Sequence, residues 1–192
     1  MEIPIKLFND WYAQQLEISK AKIPSACCFT TIGLDGYPNS RFVSLKAVQD
    51  FRLIITGPIN ARKGKEVEMI PKVSLSFWWP ETERQIRIQG DAESMADSDA
   101  QFFFQQRSPD SKIVSAVFNQ GEAITDLSKL EERFRQGKMK YENKEVEKPD
   151  GWSGFYIKPK RMEFMAFKEN RLHERTVFIK SGPKWERFYL EP

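Results

Sequence analysis

Histidine is almost missing from this 192-residue chain, where His173 stands alone. Three-histidine zinc centres, HExxH proteases and paired-histidine iron sites all need more imidazoles than one, so no metal is expected. Cysteine is as scarce: Cys27 and Cys28 are adjacent, too close for the usual structural cross-link, and read as small buried thiols on a strand. There is no GxGxxG, GxxxxGK[ST] or GxSxG, so any phosphate must be held by side chains rather than by a glycine-rich loop. No stretch approaches the ~18 apolar residues of a membrane span. The start, Met1-Glu2-Ile3-Pro4-Ile5-Lys6, lacks the basic region and apolar run of an export signal, which implies a cytoplasmic protein without a membrane partner. With 30 Lys+Arg against 27 Asp+Glu, the formal charge of +3 offers no field that would draw nucleic acid.

What the chain does have is aromatic side chains, 13% of its residues, and a length suited to one compact domain over residues 1–192. Leu7, Trp11 and Leu16 share one face of a helix predicted over about residues 5–20, with Glu2, Asp10, Glu17 and Lys20 left to water and Pro24 closing it. Strand patterns follow at 26–31, 41–48 and 51–56, with a turn at Asp35-Gly36, and a short charged helix spans 61–69. Further strands fall at 72–79 and 84–89. Asp97-Ser98-Asp99 is a plausible helix cap ahead of Phe102, Phe103 and Phe104, and Leu127, Leu130 and Phe134 have helical spacing. The charged run 138–148 reads as a solvated loop, and strands return at 152–157, 161–167, 175–180 and 185–190. Helices inserted among strands, rather than alternating with them, predict a mainly β, α+β fold: an antiparallel barrel or sheet with flanking helices.

The basic residues cluster. Arg171-Leu172-His173-Glu174-Arg175 would, on a regular strand, send Arg171, His173 and Arg175 to one face, which must then lie in water or line an anionic site. Arg41 with Lys46, Arg62-Lys63, and Arg107 with Ser111 make three more clusters, and guanidinium forks and ammonium groups are what hold phosphates where no glycine loop exists. Arg41 and Lys46 lie five apart, so on a regular strand they face opposite ways and would serve different anions.

Six motifs in order, Arg41-x-Val43-x-Leu45-Lys46, Arg62-Lys63, Arg84-Gln85-x-x-Ile88-x-Gly90, Arg107-x-x-x-Ser111, Glu163-Phe164 and Arg171-Leu172-His173-Glu174-Arg175, resemble the pyridoxamine 5'-phosphate oxidases. The resemblance implies an FMN-binding split β-barrel that forms a homodimer with FMN at the interface, residues 150–192 contributing to dimerisation and the substrate site. It further implies oxidation of pyridoxamine or pyridoxine 5'-phosphate to pyridoxal 5'-phosphate, with O2 reduced to H2O2. By motif position Arg41, Val43, Thr56, Arg62 and Lys63 would hold the FMN phosphate and ribityl chain, while Gln85, Gln120 and Arg175 would fix the flavin. Lys46, Arg107 and Ser111 would clamp the substrate phosphate, with Arg171 and His173 over its ring as the catalytic pair.

The chain also departs from the family pattern. Phe103 stands where the family usually has a tyrosine that touches the substrate phosphate, and Met165 replaces a tryptophan near the flavin. Ala61 and Gly121 replace serines, Tyr189 replaces an arginine, and the loop Gly57-Pro58-Ile59-Asn60 is one residue longer than usual. These departures keep two alternatives open: an oxidase of the same fold acting on another aromatic substrate, as in phenazine biosynthesis, or a flavin- or pyridoxal-phosphate-binding protein with little turnover.

Overall fold

The computed structural model describes residues 3–192, so Glu2 lies outside the described residues. In chain order the elements are α1 (Ile3–Ile18), β1 (Ala26–Ile32), β2 (Pro38–Gln49), β3 (Arg52–Pro58), α2 (Arg62–Met69), β4 (Lys72–Trp79), β5 (Arg84–Ser94), α3 (Asp97–Gln105), α4 (Pro109–Val117), α5 (Ser128–Lys140), β6 (Trp152–Ala166), β7 (Glu174–Ser181) and β8 (Lys184–Leu190). The strands neighbour one another in the order β3-β2-β1-β4-β5-β6-β7-β8, and a further pairing of β3 with β6 closes the first six into a barrel. The mainly β fold with flanking helices follows the strand pattern in the sequence. Alternation explains why: Val73, Leu75, Phe77 and Trp79 on β4 all turn inward, as do Ile86 and Ile88 on the paired β5. Each large apolar side chain so buried stabilises the barrel by about 1.5–3 kcal/mol.

Four local readings need correction. On α1 the buried face is Ile5, Phe8 and Gln15, while Leu16 is exposed. Phe8 packs edge-on to Phe77 at 5.3 Å, and Gln15 is drawn in by Glu81 and Thr82, partners far away in sequence. Residues 152–157 and 161–167 belong to one strand, β6, which runs straight through Pro159. The β6–β7 register begins only at Arg161, so the missing N–H of Pro159 lies outside that ladder. Asp97 and Asp99 sit in the first turn of α3, behind an Ala96 cap, where their charge complements the helix dipole. Finally, α5 runs on to Lys140, taking up the start of the charged run, and α4 went unread although Ser108 caps it and Pro109 opens it.

The chain divides into two compact units. The first takes the residues up to Ile55, Glu66–Glu93 and Tyr156–Pro192; the second takes Thr56–Lys65 and Ser94–Phe155. In the first, β2 carries a bulge: Leu45 pairs with Ile55 and Ala47 with Ile54, leaving Lys46 as the extra residue. In the second, Gly64 lies so close to the Ile59 carbonyl that an added Cβ would come within 1.7 Å of its oxygen. Among the described residues no helix is long and apolar enough to cross a membrane, and no group of three or more His, Cys, Asp or Glu is placed to hold a metal ion.

Candidate functional site

In the first unit, Arg41 is held by its own barrel. Its guanidinium donates to the Phe29 carbonyl, to Thr31 Oγ1 and, at 3.1 Å, to Glu66, whose side chain is 0% exposed. Thr31 Oγ1 and Asn39 Nδ2 also donate to Glu66, so the buried carboxylate is satisfied by neutral groups as well as by charge. Val43 follows two residues along β2, half-buried like Arg41, whereas Lys46 at the bulge is exposed. The bulge at Lys46 interrupts the regular alternation from which the opposite orientation of Arg41 and Lys46 was expected.

A row of residues crosses the sheet at Gln85. Trp78 on β4 pairs directly with Gln85 on β5, and Met165 on β6 pairs directly with Arg175 on β7. The Gln85 amide bridges the two pairs, with Nε2 4.0 Å from the Met165 sulfur. A cleft of about 290 Å³ opens beside Gln85, lined also by Cys28, Phe42 and Trp78. The two cysteines differ: Cys28 is half-buried at this cleft, while burial, with a contribution from Cys28, pushes the Cys27 thiol up to about 12.

Arg175 is locked behind this row by Glu163, a carboxylate 1% exposed. Arg175 donates through Nε and Nη2 to one oxygen at 3.2 and 2.8 Å, and Arg161 donates to the other at 2.9 Å. Arg87 stands 3.6 Å from the latter oxygen. Burial alone would raise the Glu163 pKa; the hydrogen bonds from Arg175 and Arg161 and the charge of Arg87 outweigh it and hold the group below the usual carboxylate range. Neither Glu66 nor Glu163 was assigned a role from sequence. Arg161 is local to Glu163, but Arg41 lies 25 residues from Glu66 and Arg175 lies 12 from Glu163, beyond the reach of a local pattern.

Arg171 and His173 do not share a strand face with Arg175. The strand β7 starts at Glu174, and both residues lie in the preceding loop. Arg171 adopts a left-handed backbone (φ 64°), which costs a non-glycine residue roughly 1–2 kcal/mol. The loop holds it there: Arg171 N–H donates to the Lys168 carbonyl, and Asn170 Oδ1 accepts from Leu172 N–H in an Asx turn. His173 packs its ring on Phe167 at 4.7 Å, and its Nδ1 accepts from Lys168 N–H at 3.1 Å, so the neutral ring carries its proton on Nε2. Phe167 in turn packs against Trp78 at 5.0 Å, tying the loop to the row that contains Gln85.

The second unit holds the remaining predicted residues. Thr56 Oγ1, at the end of β3, is buried without a hydrogen-bond partner. Lys63, in the first turn of α2 beside Arg62, donates to Gln120 Oε1, which brings two expected flavin residues together. Gln120 itself lines a largely apolar cavity of about 620 Å³ with Phe118, Ile124 and Phe134. Arg107 donates to the Ser111 carbonyl at 3.0 Å and to Ser115 Oγ at 3.2 Å, and lies over the Trp152 ring. Burial pushes the Arg107 pKa down, and its Nε is left without a partner. Ser111 stands in the first turn of α4, its hydroxyl 2.8 Å from that of Ser108, so a guanidinium, a hydroxyl and a helix N-terminus combine there. Phe103 is 9% exposed and packs edge-on to Phe102.

Comparison with known proteins agrees over nearly the whole chain. Residues 18–141 match the family model described as pyridoxamine 5'-phosphate oxidase, and residues 152–192 match that of the pyridoxine 5'-phosphate oxidase C-terminal dimerisation region. A pyridoxine/pyridoxamine 5'-phosphate oxidase of Trichormus variabilis is 34% identical over 190 residues, 98% of this chain and 88% of that protein. One of Flavobacterium johnsoniae is 36% identical over 177 residues, 92% of this chain and 83% of its own. Among solved structures, PhzG of Burkholderia lata, in complex with tetrahydrophenazine-1-carboxylic acid, superposes with a TM-score of 0.91 at 26% identity, covering 98% of this chain and 92% of that one. A pyridoxamine 5'-phosphate oxidase-related, FMN-binding protein of Nostoc punctiforme shares the fold, with a TM-score of 0.81 at 12% identity over 100% of this chain and 99% of its own.

Proposed function

The chain belongs to the pyridoxamine 5'-phosphate oxidase family and is an FMN-dependent oxidoreductase, and from that premise we propose that it oxidises pyridoxamine or pyridoxine 5'-phosphate to pyridoxal 5'-phosphate in the cytoplasm, reducing O2 to H2O2. The working unit is a homodimer, in keeping with the dimerisation region at 152–192, with FMN at its interface.

The observation that carries this reading is that, of five buried side-chain donors without a partner among the described residues, two belong to the candidate phosphate cradles. Thr56 Oγ1 lies in the set with Arg62 and Lys63, and Arg107 Nε beside Ser111. A buried polar group without a partner costs about 1–3 kcal/mol, and a phosphate oxygen removes that cost at either place. A phosphorylated cofactor and a phosphorylated substrate call for two such cradles. These residues therefore fit FMN: Arg41, Val43, Thr56, Arg62 and Lys63 take its phosphate and ribityl chain, while Gln85, Gln120 and Arg175 offer hydrogen bonds to its ring. When bound, FMN supplies the acceptor for two electrons and a hydrogen, and passes the electrons to O2. The chain's own groups bind and orient. Arg107, Ser111 and Lys46 hold the substrate phosphate, Arg171 positions the ring, and His173 presents Nε2–H to it.

A second reading has support of its own. The likeness to PhzG, together with an apolar Phe103 where a hydroxyl would meet the substrate phosphate, favours a larger aromatic substrate. An anaerobic titration of FMN-loaded protein separates the two. Pyridoxamine 5'-phosphate is expected to bleach the oxidised flavin absorbance, with recovery on admitting air. No bleaching by that compound, but bleaching by a reduced tricyclic aromatic acid, would replace the first reading with the second.

A further inference from the structure

We infer that Met165 is a peroxide-oxidised methionine whose sulfoxide captures Gln85; the inference rests on the oxidase reading above, which supplies hydrogen peroxide beside the flavin residues. Met165 is the one half-buried methionine among the described residues. Met95 and Met162 are buried, and Met69 and Met139 are exposed, at 69% and 62%. Position separates Met165 from the exposed pair. It stands in the row between Gln85 and Arg175, two residues proposed to face the flavin ring, so peroxide formed there meets its sulfur before it reaches bulk water.

The chemistry balances without another reactant. The thioether sulfur attacks one peroxide oxygen, the O–O bond breaks as an S–O bond forms, and the departing hydroxide takes up the proton that the sulfur-bound oxygen releases and leaves as water, giving the sulfoxide. Sulfur is oxidised by two electrons and the peroxide is reduced by two. Before the reaction the sulfur is a weak acceptor, 4.0 Å from Gln85 Nε2. Afterwards, an oxygen projecting from sulfur toward the amide falls within ordinary hydrogen-bonding reach, and a strong acceptor has replaced a weak one. The Gln85 amide is then directed to Met165 and withdrawn from a ligand. Oxidation thus loosens FMN, and a methionine sulfoxide reductase restores it.

The test uses the FMN-loaded full chain turning over pyridoxamine 5'-phosphate in air, with and without catalase, followed by peptide mass spectrometry; peroxide is assayed in the catalase-free arm. The expected result is the gain of one oxygen at Met165 that persists with catalase, while Met69 and Met139 gain theirs only without it. FMN affinity should fall in the oxidised protein and recover with the reductase, and Met165→Leu should abolish that fall. Peroxide production with Met165 unoxidised, or oxidised only in step with Met69 and Met139, would overturn the inference and leave the oxidase reading standing. Oxidation at Met165 with unchanged FMN affinity would overturn the capture of Gln85. Absence of peroxide would overturn both readings.

Discussion

The two units treat their candidate ligand residues in opposite ways. In the first, Arg41 and Arg175 are already bound to buried carboxylates, Glu66 and Glu163, and His173 is held by a backbone N–H. In the second, Thr56 and Arg107 keep a buried donor that no protein group satisfies. The first arrangement is rigid before any ligand arrives and couples the site to the stability of the barrel. The second stores a desolvation cost that binding relieves, so its residues should register in affinity rather than in stability.

Removing the anchor of the first unit gives the largest expected effect. Glu163→Ala leaves Arg87, Arg161 and Arg175 around a missing carboxylate, and should cost about 3–5 kcal/mol in chemical denaturation, the usual result of breaking a buried ion pair. A loss below ~1 kcal/mol, no more than an exposed pair is worth, would erase the contrast between the units. In the second unit, Arg107→Ala should raise KM for the phosphorylated substrate roughly ten- to a hundredfold, the worth of a charged hydrogen bond, with little change for an unphosphorylated analogue. Equal effects on both compounds would remove Arg107 from the phosphate cradle. Smaller again is Thr56→Val. It deletes an unsatisfied buried hydroxyl and its desolvation cost, so the apoprotein midpoint should rise while FMN affinity drops by about 1 kcal/mol; a destabilised apoprotein with unchanged affinity would place Thr56 with the first unit's residues.

The last prediction is a slope rather than a step. The folded-state pKa of Glu163 lies below its unfolded value of ~4.3. The stability it contributes is therefore complete above the unfolded value and is lost as pH falls through the folded one, because the unfolded chain binds the proton first. Urea midpoints measured downward from neutral pH should fall more steeply in the native sequence than in Glu163→Gln. Parallel slopes would mean that Glu163 does not titrate against its arginines.

Much of this architecture was readable in the sequence because β4 and β5 alternate cleanly and the turn at Asp35-Gly36 is local. Reading failed where distant partners decide. The inward face of α1 is set by Phe77 and Glu81; the conformation at Arg171 is instead local, an Asx turn and a left-handed residue that interrupt the alternation ahead of β7. The residue clusters that suggested anions were legible, but the carboxylates that aim Arg41 and Arg175 were not, since a buried glutamate looks like any other until its partners arrive. Ser108-Pro109 carries the local signal for α4, a capping hydroxyl ahead of a proline.

Gly64 ties two neighbouring segments together. The Ile59 carbonyl, in the loop from Gly57 to Asn60, rests where any side chain at position 64 would begin. This path of the loop requires glycine at 64, and a larger residue there would force the Ile59 backbone to move as well. The two positions are therefore coupled through backbone packing.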